Sequence, residues 1–213
     1  MNDSYRHKGM RKNMLTELSK KGITDPVVLA AMDEVPRHLF LDLAFLEIAY
    51  ENKAFPIGQG QTISHPYTVA YQSQALQILK GEKVLEIGTG CGYQTSILVK
   101  LGAKVFSIER HRPLYLKTKS LLQKLGIRAK TFYGDGYAGL PSFAPFDKII
   151  VTAAAPYIPD ALIEQLKPGG ILVIPVGGGK KQIMNIINKK EDGTLEKLEG
   201  DDFSFVPMLQ NKE

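Results

Sequence analysis

A strand-like run, VLEI, leads directly into Gly88-Thr89-Gly90-Cys91-Gly92 and then into a helical stretch. Glycine allows close backbone approaches that other residues forbid, so a ligand can lie against such a turn. A dinucleotide fingerprint would place glycine three residues after Gly90, but that position is Tyr93, and the spacing suits a nucleoside better. The following strand ends at Glu109, whose carboxylate could accept hydrogen bonds from both hydroxyls of a ribose. A third strand ends at Gly134-Asp135-Gly136. Together with Glu86, these acids would surround one crevice. A crevice so acidic repels a dinucleotide's phosphates and suits a ligand carrying an ammonium and a sulfonium. PVGGGKK is no phosphate-binding loop, because Ile174 and Lys181 stand where glycine and Ser or Thr are required.

Metal chemistry finds little support in the sequence. Cys91 is the single cysteine, and His7, His38, His65 and His111 are scattered without ligand spacing, so no metal is expected. Ser64 precedes His65-Pro66 and a helical run, which leaves two roles open. It could cap the helix by accepting a backbone N–H, or its hydroxyl could face a ligand.

The elements that must position these residues are legible from about residue 82 onward. KVLEI, AKVFSIE, AKTFYGD, DKIIVTAA and GGILVIPVG read as near-continuously apolar parallel strands, alternating with helices at 92 to 101, 111 to 125 and about 159 to 166. IMNIINKK and FSFVPML, on either side of an Asp192-Gly193 turn, read as a closing antiparallel pair. The expected fold is α/β, a doubly wound and mostly parallel seven-stranded sheet with a helical N-terminal extension. One domain is expected, with residues 1 to 81 as extension and substrate-side loop and 82 to 213 as the cofactor-binding core. In the extension, Met10, Met14, Leu15 and Leu18 share one helix face, and Asp25-Pro26 opens a second helix. No sheet is expected there.

With 44% hydrophobic and 23% charged residues, disorder and collagen-like repeats are excluded. The net charge of +5 permits nucleic-acid binding, but the lysines lack the interleaved aromatics of a base-stacking platform. The N-terminal residues carry no secretory pattern, and no run approaches a membrane span, so a cytoplasmic protein is expected.

The glycine loop, SIER, the GDG turn, VTAA and LKPGGILVIPVG resemble the Rossmann-like S-adenosylmethionine-dependent methyltransferases. VPRHLF at 35 to 40, QTISHPYTVA at 61 to 70 and FVPM at 205 to 208 narrow the resemblance to the protein-L-isoaspartate (D-aspartate) O-methyltransferases, over nearly the whole chain. The resemblance implies an enzyme that uses S-adenosyl-L-methionine to methylate the free carboxylate of L-isoaspartyl residues, with D-aspartyl residues as a second acceptor, and so initiates protein repair. Its catalytic serine falls on Ser64. Its cofactor contacts fall on Thr62, Ile63, Ser64, Glu86, Gly88, Thr89, Gly90, Glu109, Arg110, Asp135, Gly136 and Thr152. Its substrate contacts fall on Ile63, Ser64, Val206 and Pro207. Cys91 stands where serine is common, and Met208 replaces the usual leucine. The partners implied are damaged proteins and peptides, without nucleic acid or membrane, and a monomer is expected.

The alternative is an S-adenosylmethionine-dependent RNA or small-molecule methyltransferase. Amino-group chemistry on bases usually follows an Asp or Asn with two prolines and an aromatic, whereas this loop is Ala154-Ala155-Pro156-Tyr157. Carbon methylation of cytosine would need a nucleophilic cysteine there, and Cys91 lies in the glycine turn.

Overall fold

The computed structural model describes residues 3–213. Its N-terminal layer begins with α1 (Tyr5–Lys20) and α2 (Pro26–Glu34). Met14 and Leu18 are buried on one face of α1, with Met10 and Leu15 packed at its margin. Asp25 opens α2 as expected, its carboxylate accepting from the backbone of Val27 and Val28 ahead of Pro26 at the first helical position. Arg11 fastens the layer, with its buried guanidinium bonded to Asp3, Asp33 and the Tyr50 hydroxyl. Two short 3₁₀ turns follow, Arg37–Phe40 and Leu43–Ile48.

The extension does contain a sheet, contrary to expectation. β1 (Phe55–Gly58) and β2 (Gln61–Ile63) form an antiparallel hairpin through Gln59 and Gly60, both at positive φ. Strands of four and three residues are too short for alternation to reveal them. α3 (Pro66–Leu76) then leads into the main sheet.

The remaining strands are β3 (Lys83–Ile87), β4 (Lys104–Glu109), β5 (Lys130–Tyr133), β6 (Phe146–Val151), β7 (Leu166–Val176), β8 (Gln182–Lys189) and β9 (Leu195–Phe203). α4 (Tyr93–Lys100), α5 (Arg112–Lys124) and α6 (Asp160–Gln165) lie between them. The sheet order is β5-β4-β3-β6-β7-β8-β9, parallel through β7 and antiparallel beyond. Strand order reverses beside β3, the place where open α/β sheets bind ligands at their carboxyl ends. Alternation divides the core. Val84 faces the layer holding Leu76 of α3 and Leu98 of α4, whereas Leu85 and Ile87 face Leu162 of α6.

The closing strand is not FSFVPML. It is the preceding segment LEKLEGDDF, whose charges are those of an exposed sheet edge and conceal it from a search for apolar runs. The chain from Ser204 onward leaves the sheet edge and returns to the loop after β6. There Ala154 donates to Val206 O at 2.8 Å, and Met208 donates to Ala154 O at 2.7 Å.

Asp25→Ala removes the bonds that start α2 and should lower stability by about 0.5 to 2 kcal/mol. Urea unfolding checks this, and an unchanged midpoint would mean that the cap contributes nothing.

Candidate active site

A cavity lies at the carboxyl ends of β3, β4 and β6 and spans about 870 Å³ of space open to solvent. The glycine loop forms its floor. Gly88, Gly90 and Gly92 all hold positive φ, and a Cβ at Gly88 would run into the Thr152 hydroxyl. Thr152 is itself fixed by donating to Ile87 O or Gly88 O, at 3.0 and 2.8 Å. A Cβ at Gly136 would meet Ile87.

Glu109 faces the cavity from the end of β4 and is almost fully covered. Its two carboxylate oxygens accept from Gly90 N at 2.8 Å and His111 N at 2.9 Å. Each oxygen keeps acceptor capacity for a ligand. Arg110 follows, with its guanidinium turned to Asn211 O and the Glu213 carboxylate.

The opposite wall comes from the extension and from the C-terminal segment. Thr62, Ile63 and Ser64 line it with Val206 and Pro207. Ser64 is not the helix cap. That position is His65, and the Tyr67 N–H near the start of α3 donates to Asn52 Oδ1 at 2.9 Å. His65 is held below its usual pKa, mainly by burial and also by the charge of Arg37. Tyr67 turns its hydroxyl to Asp201, away from the cavity wall. Arg37, wholly buried, donates to Ala49 O and Lys53 O at 2.9 and 3.1 Å and lies 5.0 Å from the Tyr93 ring centre. It thereby ties the extension to the first residue of α4.

Two of the acids expected around the crevice do not line it. The Asp135 carboxylate is taken up by Tyr137 N and Asn211 N, at 2.9 and 2.8 Å. Glu86 alternates with Leu85 and Ile87 along β3 and so points into the core, where Thr95 and Ser107 donate to it. Burial raises its pKa from 4.5 to about 8, so at neutral pH it is mostly uncharged. Glu109 alone among the three brings a carboxylate to the cavity, and the crevice is less acidic than the sequence suggested. Thr89, Gly88, Gly90, Gly136 and Thr152 all line it as expected.

Among the lining residues that escaped the sequence reading are Gln61, Gln94, His111, Met208 and Leu209. Gln94 is fixed by donating to Ser73 Oγ at 2.9 Å. His111, two residues beyond Glu109, was within reach of inference because its backbone N–H closes the carboxylate turn. Leu209 has no such signal. Cys91 also lines the cavity, with its thiol pushed up to about 11 by desolvation, so it is not a nucleophile at neutral pH.

Away from this cavity, Asp3, His7 and His38 bring potential ligand atoms within 4.8 Å of one another. Asp3 is paired with Arg11, and the two imidazoles stack at 3.8 Å and 18°. Their in-plane lone pairs therefore run side by side and do not converge on one ion.

The model of the family described as Protein-L-isoaspartate(D-aspartate) O-methyltransferase matches residues 9–213. A protein-L-isoaspartate O-methyltransferase of Flavobacterium psychrophilum is 56% identical over 213 residues, covering 100% of both chains. A solved structure of a protein-L-isoaspartate O-methyltransferase matches with a TM-score of 0.85 and 29% identity, covering 95% of this chain and 67% of that one. A Plasmodium falciparum protein of the same description, solved with S-adenosyl-L-homocysteine, matches with a TM-score of 0.82 and 27% identity, covering 94% and 99%.

The buried carboxyl of Glu86 makes stability depend on pH. Between about pH 4.5 and 8 the folded state holds a proton that the unfolded state has lost, so stability falls as pH rises through that window. Glu86→Gln cannot ionise and should lack this slope. Measured by urea unfolding, its stability relative to the unsubstituted protein should increase from about pH 5 to about pH 8.5, and parallel pH profiles would contradict the protonated state.

Proposed function

The chain belongs to the protein-L-isoaspartate(D-aspartate) O-methyltransferase family, and from that premise we propose which of its residues perform the reaction. It is an S-adenosylmethionine-dependent enzyme of Rossmann-like fold that methylates the free carboxylate of L-isoaspartyl residues in damaged proteins and peptides, the step that initiates repair. We assign Gly88, Thr89, Gly90, Gly136 and Thr152 to the nucleoside cradle, since glycine alone leaves that floor open. Glu109 and Arg110 take the ribose end. Thr62 and Ile63 flank the cofactor beside Ser64, and Ile63, Ser64, Val206 and Pro207 receive the acceptor. Glu86 and Asp135 support the cradle from behind.

S-adenosylmethionine, when bound, supplies an electrophilic methyl group on a sulfonium. The acceptor carboxylate, with a pKa of about 4, is ionised at neutral pH and requires no general base. The task left to the protein is alignment and exclusion of water. Ser64 orients the acceptor by donating its hydroxyl to the carboxylate. The β1-β2 hairpin and the 206 to 208 segment cover the site.

The observation that carries this assignment is the helix start. His65 occupies the cap, and Asn52 serves the Tyr67 N–H, so the Ser64 hydroxyl has no capping task and lines the cavity. We read residues 1 to 213 as one catalytic unit that acts as a cytoplasmic monomer on protein partners, without nucleic acid or membrane. Among the described residues, no helix is long and apolar enough to cross a membrane.

With labelled S-adenosylmethionine, an isoaspartyl peptide should be methylated and the matching aspartyl peptide should stay near background. Equal labelling of the two, or preferred labelling of RNA, would defeat the substrate assignment. Ser64→Ala should reduce kcat/KM by about 10-fold to 150-fold, the effect of losing a hydrogen bond to a charged group, with urea stability retained. Full turnover in a destabilised variant would return Ser64 to a capping role.

A further inference from the structure

The segment from Met208 to Glu213 crosses the strand ends as a bridge fixed on both banks. On the β6 side, Met208 N donates to Ala154 O at 2.7 Å. On the β5 side, Asn211 N donates to Asp135 Oδ2 at 2.8 Å, and Lys212 Nζ lies 5.4 Å from the Tyr133 ring centre. Between these anchors Leu209 lines the cavity. Beyond them Glu213 pairs with the turn after β4. Its N–H donates to Arg110 O and its carbonyl accepts from Arg112 N, both at 2.8 Å. Arg110 reinforces the pair, with Nε on Asn211 O at 3.0 Å and a terminal nitrogen on the Glu213 carboxylate at 3.2 Å.

The turn held in this way contains His111, whose N–H is one of the two donors that fix the Glu109 carboxylate. The segment therefore grips β4 through Arg110 and Arg112, and β5 through Asp135. An ion pair with an exposed carboxylate contributes little, so the Arg110–Glu213 pair alone would not hold it. The backbone bonds set its path, and they require an uncommon conformation. Asn211 has a φ of +63°, a left-handed geometry that asparagine tolerates and the proline ring forbids.

We propose that Asn211 and Glu213 are positioning residues for the methyl donor, clasping the ends of β4 and β5 so that Glu109 meets the ribose in one orientation and Leu209 covers it. The inference rests on assigning the cavity to S-adenosylmethionine with its ribose at Glu109. Neither Asn211 nor Glu213 lines the cavity, so both act through the turns they hold. The wall at Val206 and Pro207 has its own anchor, because Ala154 N donates to Val206 O and Ala154 O accepts from Met208 N. Loosening the clasp should therefore weaken the hold on the donor and spare the acceptor.

Two substitutions at one position separate the backbone from the side chain. Asn211→Pro removes the N–H given to Asp135 and cannot adopt positive φ, whereas Asn211→Gly keeps the N–H and tolerates the φ. The dissociation rate of S-adenosylhomocysteine, kcat and the KM values for donor and isoaspartyl peptide are measured on each full-length variant. Asn211→Pro should raise the dissociation rate and the donor KM by about threefold to tenfold, the effect of losing one hydrogen bond to a charged group. The kcat at saturating donor and the peptide KM should hold, and Asn211→Gly should match the unsubstituted protein. Glu213→Pro, which removes the N–H given to Arg110, should reproduce the donor effect from the β4 side. Unchanged donor binding in both proline variants would overturn the proposal. So would a lower kcat and urea midpoint with the donor KM unchanged, the pattern of lost folded protein. An equal loss in Asn211→Gly would place the effect in the asparagine side chain and also count against the clasp. Absence of S-adenosylhomocysteine binding to the unsubstituted protein would instead overturn the cavity assignment.

Discussion

The site depends on how the glycine loop is tied to β4. Gly88 N and Thr89 N both donate to Ile108 O, at 2.9 and 3.0 Å, and Gly90 N donates to the Glu109 carboxylate. Thr118 of α5 closes the other side, donating to Gly90 O at 2.6 Å. A run of glycines would otherwise lose more conformational freedom on ordering than any other sequence. Here its polar backbone groups are bound to the neighbouring strand and helix before any ligand arrives. The carboxylate that completes the loop is also the one left facing the cavity, so the loop and its acceptor group are ordered together.

The proposed acceptor side obeys a different rule, because its parts are far apart in sequence. The hairpin at 55 to 63, the Ser64 turn and the 206 to 208 segment come from distant parts of the chain to line one cavity. Arg37 joins the hairpin's approach to Tyr93, holding two backbone carbonyls with a buried charge. A buried guanidinium is costly unless its donors are used, so removing those carbonyls from reach would affect more than one loop.

The contrast explains what the sequence made legible. The parallel strands announced themselves because both faces are covered and their runs are apolar, and the glycine loop and Asp25-Pro26 cap depend on local chemistry. β9 was hidden because an exposed edge is selected for charge. β1 and β2 were hidden because very short strands have no period. Glu86 and Glu109 look alike in sequence, each in a strand ahead of a turn, yet one residue's difference in position along the strand sends one into the core and leaves the other at the cavity. The fate of Ser64 turned on Asn52, twelve residues upstream, whose side chain takes the helix N–H that Ser64 might have served. No local pattern reports such a substitution of roles.

The pairing of Ala154 with the 206 to 208 segment also orders events during synthesis. The strands that form the cradle are translated first, and the glycine loop can be tied to β4 as soon as α5 has emerged. The wall beside Ser64 waits until Val206, Pro207 and Met208 have left the ribosome and returned across the sheet edge to Ala154. Translation therefore makes the two walls of the cavity available at different times: the glycine loop and β4 emerge before the segment that pairs with Ala154.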